Sequence, residues 1–225
     1  MNILKSSLVL SVCLLSTNVF SAGMDSDDPF LTYLKADKFE WRDSDEGNVF
    51  VYEIDAWLGY DLEKLWIKAS GERVDGEIES QTIDILYNKA VSAYWDLQMG
   101  VRLEDKPSPS NHWLGVGFMG VAPYQIEMDV NAFVNEDGLV NFSLSAEYEY
   151  MFSQKVELVP EIEMSFYSDD DVARGIESGL ANVEIGLRLS YQIEREFAPY
   201  IGINFEAADA KEFDTQLLVG VKAWF

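Results

Sequence analysis

Thiols and imidazoles are almost missing from this sequence, whose 225 residues include one cysteine and one histidine. Cys13 lies in an N-terminal apolar run, so the chain beyond residue 23 has no disulfide, no thiolate nucleophile and no cysteine-built metal or redox centre. Positive charge is scarce too: Lys+Arg 16 stand against Asp+Glu 40, a formal net charge of −24. A polyanion repels such a chain, which excludes nucleic acid as a partner. Long hydrophobic runs are also lacking. The best after residue 23 spans 113–122, about half of the roughly 20 apolar residues that a helix needs to cross hydrocarbon. Any crossing of a membrane must then use strands.

Hydrophobic residues nevertheless make up 48% of the chain and aromatic ones 13%, far more apolar surface than a disordered acidic chain carries. The first residues differ from the rest. Lys5 precedes an apolar run from Leu8 to Leu15, and small residues follow at Ser21, Ala22 and Gly23. This pattern predicts a cleaved secretory signal peptide over 1–22, then a short acidic tail over 23–30 and one folded unit over 31–225. Val12 precedes Cys13 where a lipid-attachment cysteine follows a small residue, so a lipoprotein is not indicated.

Beyond residue 30 the pattern is period-two alternation, the signature of strands. Trp95, Leu97, Met99, Val101 and Leu103 alternate with Asp96, Gln98, Gly100, Arg102 and Glu104. Ile126, Met128, Val130 and Ala132 alternate with Glu127, Asp129 and Asn131, and Phe142, Leu144 and Ala146 with Ser143, Ser145 and Glu147. Leu158, Ile162 and Met164 oppose Glu161 and Glu163, and Val183, Ile185 and Leu187 oppose Glu184, Gly186 and Arg188.

A soluble sandwich also alternates, but these segments run about ten to thirteen residues, the length that crosses a bilayer at a tilt. The spacing predicts strands near 31–42, 49–58, 62–74, 77–88, 93–104, 112–121, 124–134, 139–150, 154–166, 178–191, 197–206 and 214–225. The expected fold is an all-β transmembrane antiparallel up-and-down β-barrel of about 12 strands in the outer membrane of a Gram-negative bacterium. Short connections at 59–61, 123, 151–153 and 192–196 contrast with longer, acidic ones at 42–48, 105–111, 168–177 and 207–213. Trp57, Tyr60, Tyr94, Trp95, Tyr124, Tyr150, Phe152, Tyr191 and Phe197 gather near the short turns and predict an interfacial girdle among lipid and lipopolysaccharide. The chain ends on Trp224 and Phe225, with Gly220 and Phe225 at the spacing of the C-terminal signal read by the barrel assembly machinery.

Several stretches resemble the copper resistance protein B family of outer-membrane proteins: DKFEWRD (37–43), DLEKLWIKASGERVDGEIE (61–79), YWDLQMGVR (94–102) and GIESGLANVEIGLRLSYQIEREFAPYIG (175–202). The resemblance implies a role in copper tolerance, by binding copper or helping to move it outward, with a periplasmic copper protein or multicopper oxidase as partner. Family members carry a Met- and His-rich segment ahead of the barrel. Here that region offers Met24 as its soft donor and no histidine.

Candidate copper ligands are Met24 and Asp25 in the tail and His112 beside a longer connection. Parity sends Met99, Met128 and Met164 to the lipid face. The wet face offers Asp96, Glu127, Asp129, Glu147, Glu161, Glu163 and Glu184, together with Glu53, Asp55, Glu72 and Glu149. Lys64, Lys68, Arg73, Arg102 and Arg188 are interleaved with them. Two readings of this face stand open: a salt-bridge lattice filling a narrow lumen, and a conduit whose low-dielectric wall concentrates cations. Hard oxygen donors alone do not select copper over magnesium or calcium. No nucleophile with a base and an orienting group is recognisable, and Gly175-Ile176-Glu177-Ser178-Gly179 does not have the G-x-S-x-G spacing, so no enzyme is expected. The competing function is a general outer-membrane channel.

Overall fold

The computed structural model describes residues 28–44, 47–208 and 213–225. The segment read as a signal peptide and the start of the acidic tail lie outside the described residues. The strands are β1 Leu31–Ser44, β2 Gly47–Gly59, β3 Glu63–Val74, β4 Glu77–Ala90, β5 Trp95–Lys106 and β6 Asn111–Ala122. They continue as β7 Ile126–Asn135, β8 Val140–Tyr148, β9 Val156–Tyr167, β10 Gly179–Tyr191, β11 Phe197–Ala208 and β12 Asp214–Trp224. A two-residue piece, Tyr150–Met151, continues β8 after a break at Glu149. Each strand pairs antiparallel with the next, and β12 pairs back onto β1 with Trp41 opposite Val219, closing a 12-strand barrel. The fold and its outer-membrane character are those read from the alternation.

Closure leaves no sheet edge, which matters where no water can satisfy a free N–H or C=O. The usual inside and outside are exchanged. Leu114, Ile201 and Leu217 face outward at 66%, 62% and 64% exposure, whereas Glu40, Gln98 and Asn204 are 0% exposed within the barrel. Lipid covers the outer residues; the polar ones must satisfy one another.

Three local readings need correction. The connection expected over 42–48 shrinks, because β1 runs to Ser44 and β2 starts at Gly47. Trp57 does not join the outer girdle. It shares the inward face of Asp55, stacks with Tyr33 at 5.9 Å and lies tilted against Trp66 at 6.3 Å. Arg73 lies on the outer face, opposite Phe50 and Ile78, because β3 alternates without a break against β2 and Arg73 stands an odd number of steps from the inward Lys68 and Glu72. An outer aromatic cluster instead forms near the other rim, from Phe39, Trp41, Phe50 and Tyr52, with Trp41 and Phe50 ring centroids 4.9 Å apart.

The β3–β4 hairpin turns at Asp75 and Gly76 with φ of 49° and 90°, the left-handed pair that a two-residue turn between twisted strands requires. The feature with most consequence is a bulge in β1. Its register shifts past Asp37 against both β2 and β12, so Lys35 and Lys38 both point inward although an odd number of steps separates them.

Candidate functional site

Beyond that bulge, Lys38, Glu40 and Arg42 alternate inward along β1 and meet the charged rows of β9 and β10. Lys38 Nζ contacts carboxylate oxygens of Glu53 at 3.1 Å, Glu161 at 2.9 Å and Glu163 at 2.5 Å. Arg188 donates to Glu40 and Glu161, with one Nη2 contact to Glu40 at 3.3 Å. Arg42 donates to Glu40 at 2.9 Å and to Glu184 at 2.8 Å, and the Tyr200 hydroxyl donates to Glu40 at 3.1 Å. Glu40 thus sits fully buried at the centre of a brace between β1 and β10. Burying ions is costly, and only such multiple pairing offsets it.

Further ties organise the remaining wall. Arg102 grips Asp84 through two hydrogen bonds of 2.8 Å and lies 3.8 Å above the Phe133 ring centroid. Phe133 occupies the space that a side chain at position 115 would need; the glycine there lets the ring lie against the wall. Lys68 pairs with Asp129, whose other oxygen accepts from Gln98 and from Asn131, the latter at 2.8 Å. Lys35 and Lys222 flank Asp37 at 2.8 and 3.5 Å across the closing seam.

At the rim, Glu104 accepts from the Trp113 indole at 2.8 Å and pairs with Arg174 at 2.7 Å. Arg174 belongs to the connection over 168–178, and its Nε also donates to the Pro107 carbonyl at 3.3 Å. That connection is tied over the mouth. Within it, hydrogen bonds from Ser178 hold the Asp170 carboxyl below the usual range, the backbone one at 2.7 Å.

Between these ties lies a cavity of about 640 Å³, on whose wall carboxylates such as Glu53, Asp55, Asp129, Glu147, Glu161 and Glu163 outnumber Lys35, Lys68 and Arg102. Lattice and cavity therefore coexist, the lattice bracing one side of the interior.

Of the residues singled out from the sequence, Glu161, Glu163, Glu184 and Arg188 come together around β1, while Arg102 and Asp129 anchor separate clusters. Glu127 and Glu147 line the cavity, and Asp96 stands on the inward face opposite Met119. His112 is exposed near the rim, beside a small groove of about 170 Å³ shared with Glu104, Asp105 and Ser110. Met24 and Asp25 lie outside the described residues. Among the described residues, no group of three or more His, Cys, Asp or Glu is arranged to hold a metal ion.

Lys38, Glu40 and Arg42 escaped the sequence reading because the bulge breaks the alternation of β1. Asp84, Glu104 and Arg174 are ordinary charges until paired. Met119 escaped for another reason: β6, NHWLGVGFMGVA, is apolar on both faces, so parity has no polar marker.

The comparisons with known proteins bear on this barrel directly. The family described as Copper resistance protein B precursor matches residues 30–225. The chain belongs to the copper resistance protein B family. Copper resistance protein B of Escherichia coli is 38% identical over 210 residues, covering 88% of this chain and 71% of that protein. The Copper resistance protein B homolog of Pseudomonas syringae pv. tomato is 32% identical over the same shares. Family membership and fold together place the chain in the outer membrane. Solved structures share the fold at low identity. The NanC porin matches with TM-score 0.55 and 8% identity over 86% of this chain and 99% of that one, and the KdgM porin with 0.51 and 12% over 87% and 99%. Outer membrane phospholipase A from Escherichia coli matches at 0.53 and 11% over 85% and 91%.

Proposed function

We propose that this member of the copper resistance protein B family contributes to copper homeostasis as a non-enzymatic barrel, attracting copper cations into its acidic lumen and assisting their sequestration or export. The observation that carries this reading is the cavity wall, where carboxylates outnumber cations inside a low-dielectric barrel. Such a wall focuses the field and raises the local cation concentration. Family membership supplies the metal; the wall supplies the means of concentrating it. A periplasmic copper protein or multicopper oxidase is the partner this reading calls for, on the far side of the short-turn end.

The porin-like fold favours one competing reading, a general channel indifferent to copper. Growth of a deletion strain in graded copper, with zinc as the control metal, separates the two. Copper-selective sensitivity rescued by the intact gene supports the proposal. Equal growth of deletion and wild type in both metals, with no related gene present, overturns it and leaves the channel, whose conductance is measurable in planar bilayers.

A further inference from the structure

Cross-strand partners in an antiparallel sheet share a face. On one such rung Asp96 of β5 stands opposite Met119 of β6, and Met119 opposite Asp129 of β7, placing carboxylate, thioether and carboxylate side by side on the inner wall. The Lys68 ammonium reaches over this rung from β3. It pairs with Asp129, lies 3.7 Å from the Met119 sulfur and sits 5.5 Å from the Trp66 ring centroid. Gln98, itself 0% exposed, donates to Asp129, and its own amide oxygen is buried with no hydrogen-bond partner. The ammonium therefore occupies a cage built for a cation, with a sulfur donor, an aromatic face and oxygen donors.

We propose that this rung is a binding site for a soft monovalent cation, cuprous copper in the setting of the function proposed above, and that Lys68 is a tethered occupant which the ion displaces. Resting on that reading, the site adds the element that the acidic wall lacks. Carboxylates alone hold hard and borderline ions without discrimination, whereas a thioether favours Cu(I) and gives little to magnesium or calcium. The Trp66 face adds attraction for any desolvated cation. Competition from Lys68 keeps occupancy weak and reversible, as passage through a lumen demands. Met99, Met128 and Met164 alternate with the inward residues of their strands and face lipid, so they do not contribute.

The test uses the full-length barrel in detergent, carrying Met24→Leu so that the tail thioether is silent. It is titrated without oxygen with Ag(I), with Cu(I) and with Zn(II) as the contrasting ion, read by indole fluorescence and by competition with a soft-metal chelator. Heat-modifiable migration on a gel confirms that each variant is closed. The two soft ions are expected to bind and quench, and Zn(II) to leave the fluorescence unchanged. Met119→Leu, close in volume, is expected to weaken Ag(I) binding by about tenfold or more, and Lys68→Gln to tighten it by a similar factor. Unchanged affinity in Met119→Leu overturns the site, as does weaker binding in Lys68→Gln. Growth separates this failure from that of the copper reading. A copper-sensitive deletion strain rescued in full by Met119→Leu refutes the rung and leaves the copper role standing. A deletion without a copper phenotype refutes the role, while soft-ion binding lost in Met119→Leu would still support the rung.

Discussion

Arg188 on β10 extends across the barrel interior to Glu40 on β1, 3.3 Å from Nη2 to a carboxylate oxygen, tying together strands separated in the sheet by β11 and β12. Glu40 accepts in the same place from Arg42 and Tyr200. Replacing Glu40 by Ala takes the shared carboxylate from two buried guanidinium groups and leaves Arg188 with Glu161 and Arg42 with Glu184. The expected cost is about 1.5–3 kcal/mol of barrel stability, the scale of a lost hydrogen bond to a charged group. Urea titration of the heat-modifiable band in lipid vesicles measures it; a shift no larger than that of an exposed control such as Glu79→Ala would show the brace to be energetically idle.

Deleting Asp37 removes the bulge without touching any strand partner. Two steps would then separate Lys35 from Lys38, so both stay inward and Lys38, Glu40 and Arg42 keep their partners, while the ion pairs of Asp37 with Lys35 and Lys222 are lost. The expected result is a barrel that still closes, seen as a retained heat-modifiable form that unfolds at lower urea; loss of that form would show that closure needs the bulge itself. Asp37→Asn keeps the bulge but weakens the contacts with Lys35 and Lys222, and is expected to assemble with reduced stability.

Arg174 ties the 168–178 connection to Glu104 and Pro107. Arg174→Ala is expected to release it, so that added protease cuts within 168–178 at least severalfold faster in intact cells while the barrel stays closed. The Asp170 contact with Ser178 gives a pH signature. Its carboxyl is held below the usual range, so the contact is at full strength above roughly pH 4 and is lost as pH falls through the lowered value. Faster cleavage should therefore also appear under strong acid, and Asp170→Asn should remove that acid step.

Glu53, Glu161 and Glu163 share Lys38 at the cavity wall. Neutralising Glu53 and Glu163 together to Gln lowers the negative field while Glu161 keeps Lys38 and Arg188 paired. Reversal potentials in a salt gradient are expected to move from cation preference toward zero, and the effect should shrink at high salt as the charges are screened. A reversal potential unmoved by the double substitution would assign these carboxylates to bracing alone.

The sheet was legible wherever one face is polar throughout a strand. Gln98, Arg102 and Glu104 mark β5, and Glu161 and Glu163 mark β9, because a charge on the lipid face is costly and the chain cannot place one there cheaply. Legibility failed in β1, where one extra residue resets the phase, and in β6, where glycines and apolar residues line both faces. In β6 the inward glycines seat Phe133 and Asn131, which belong to β7.

Sequence by itself determined that this chain crosses a membrane with strands, that the barrel has its polar side inside, and which family it joins. Those properties follow from alternation, segment length and contiguous motifs, all local in the chain. The tertiary structure alone decided that Lys38 meets Glu163 and that Met119 stands between Asp96 and Asp129. Pairing depends on register and closure, which bring together residues distant in the sequence, and a charge or a thioether acquires its role only from the neighbours that closure gives it.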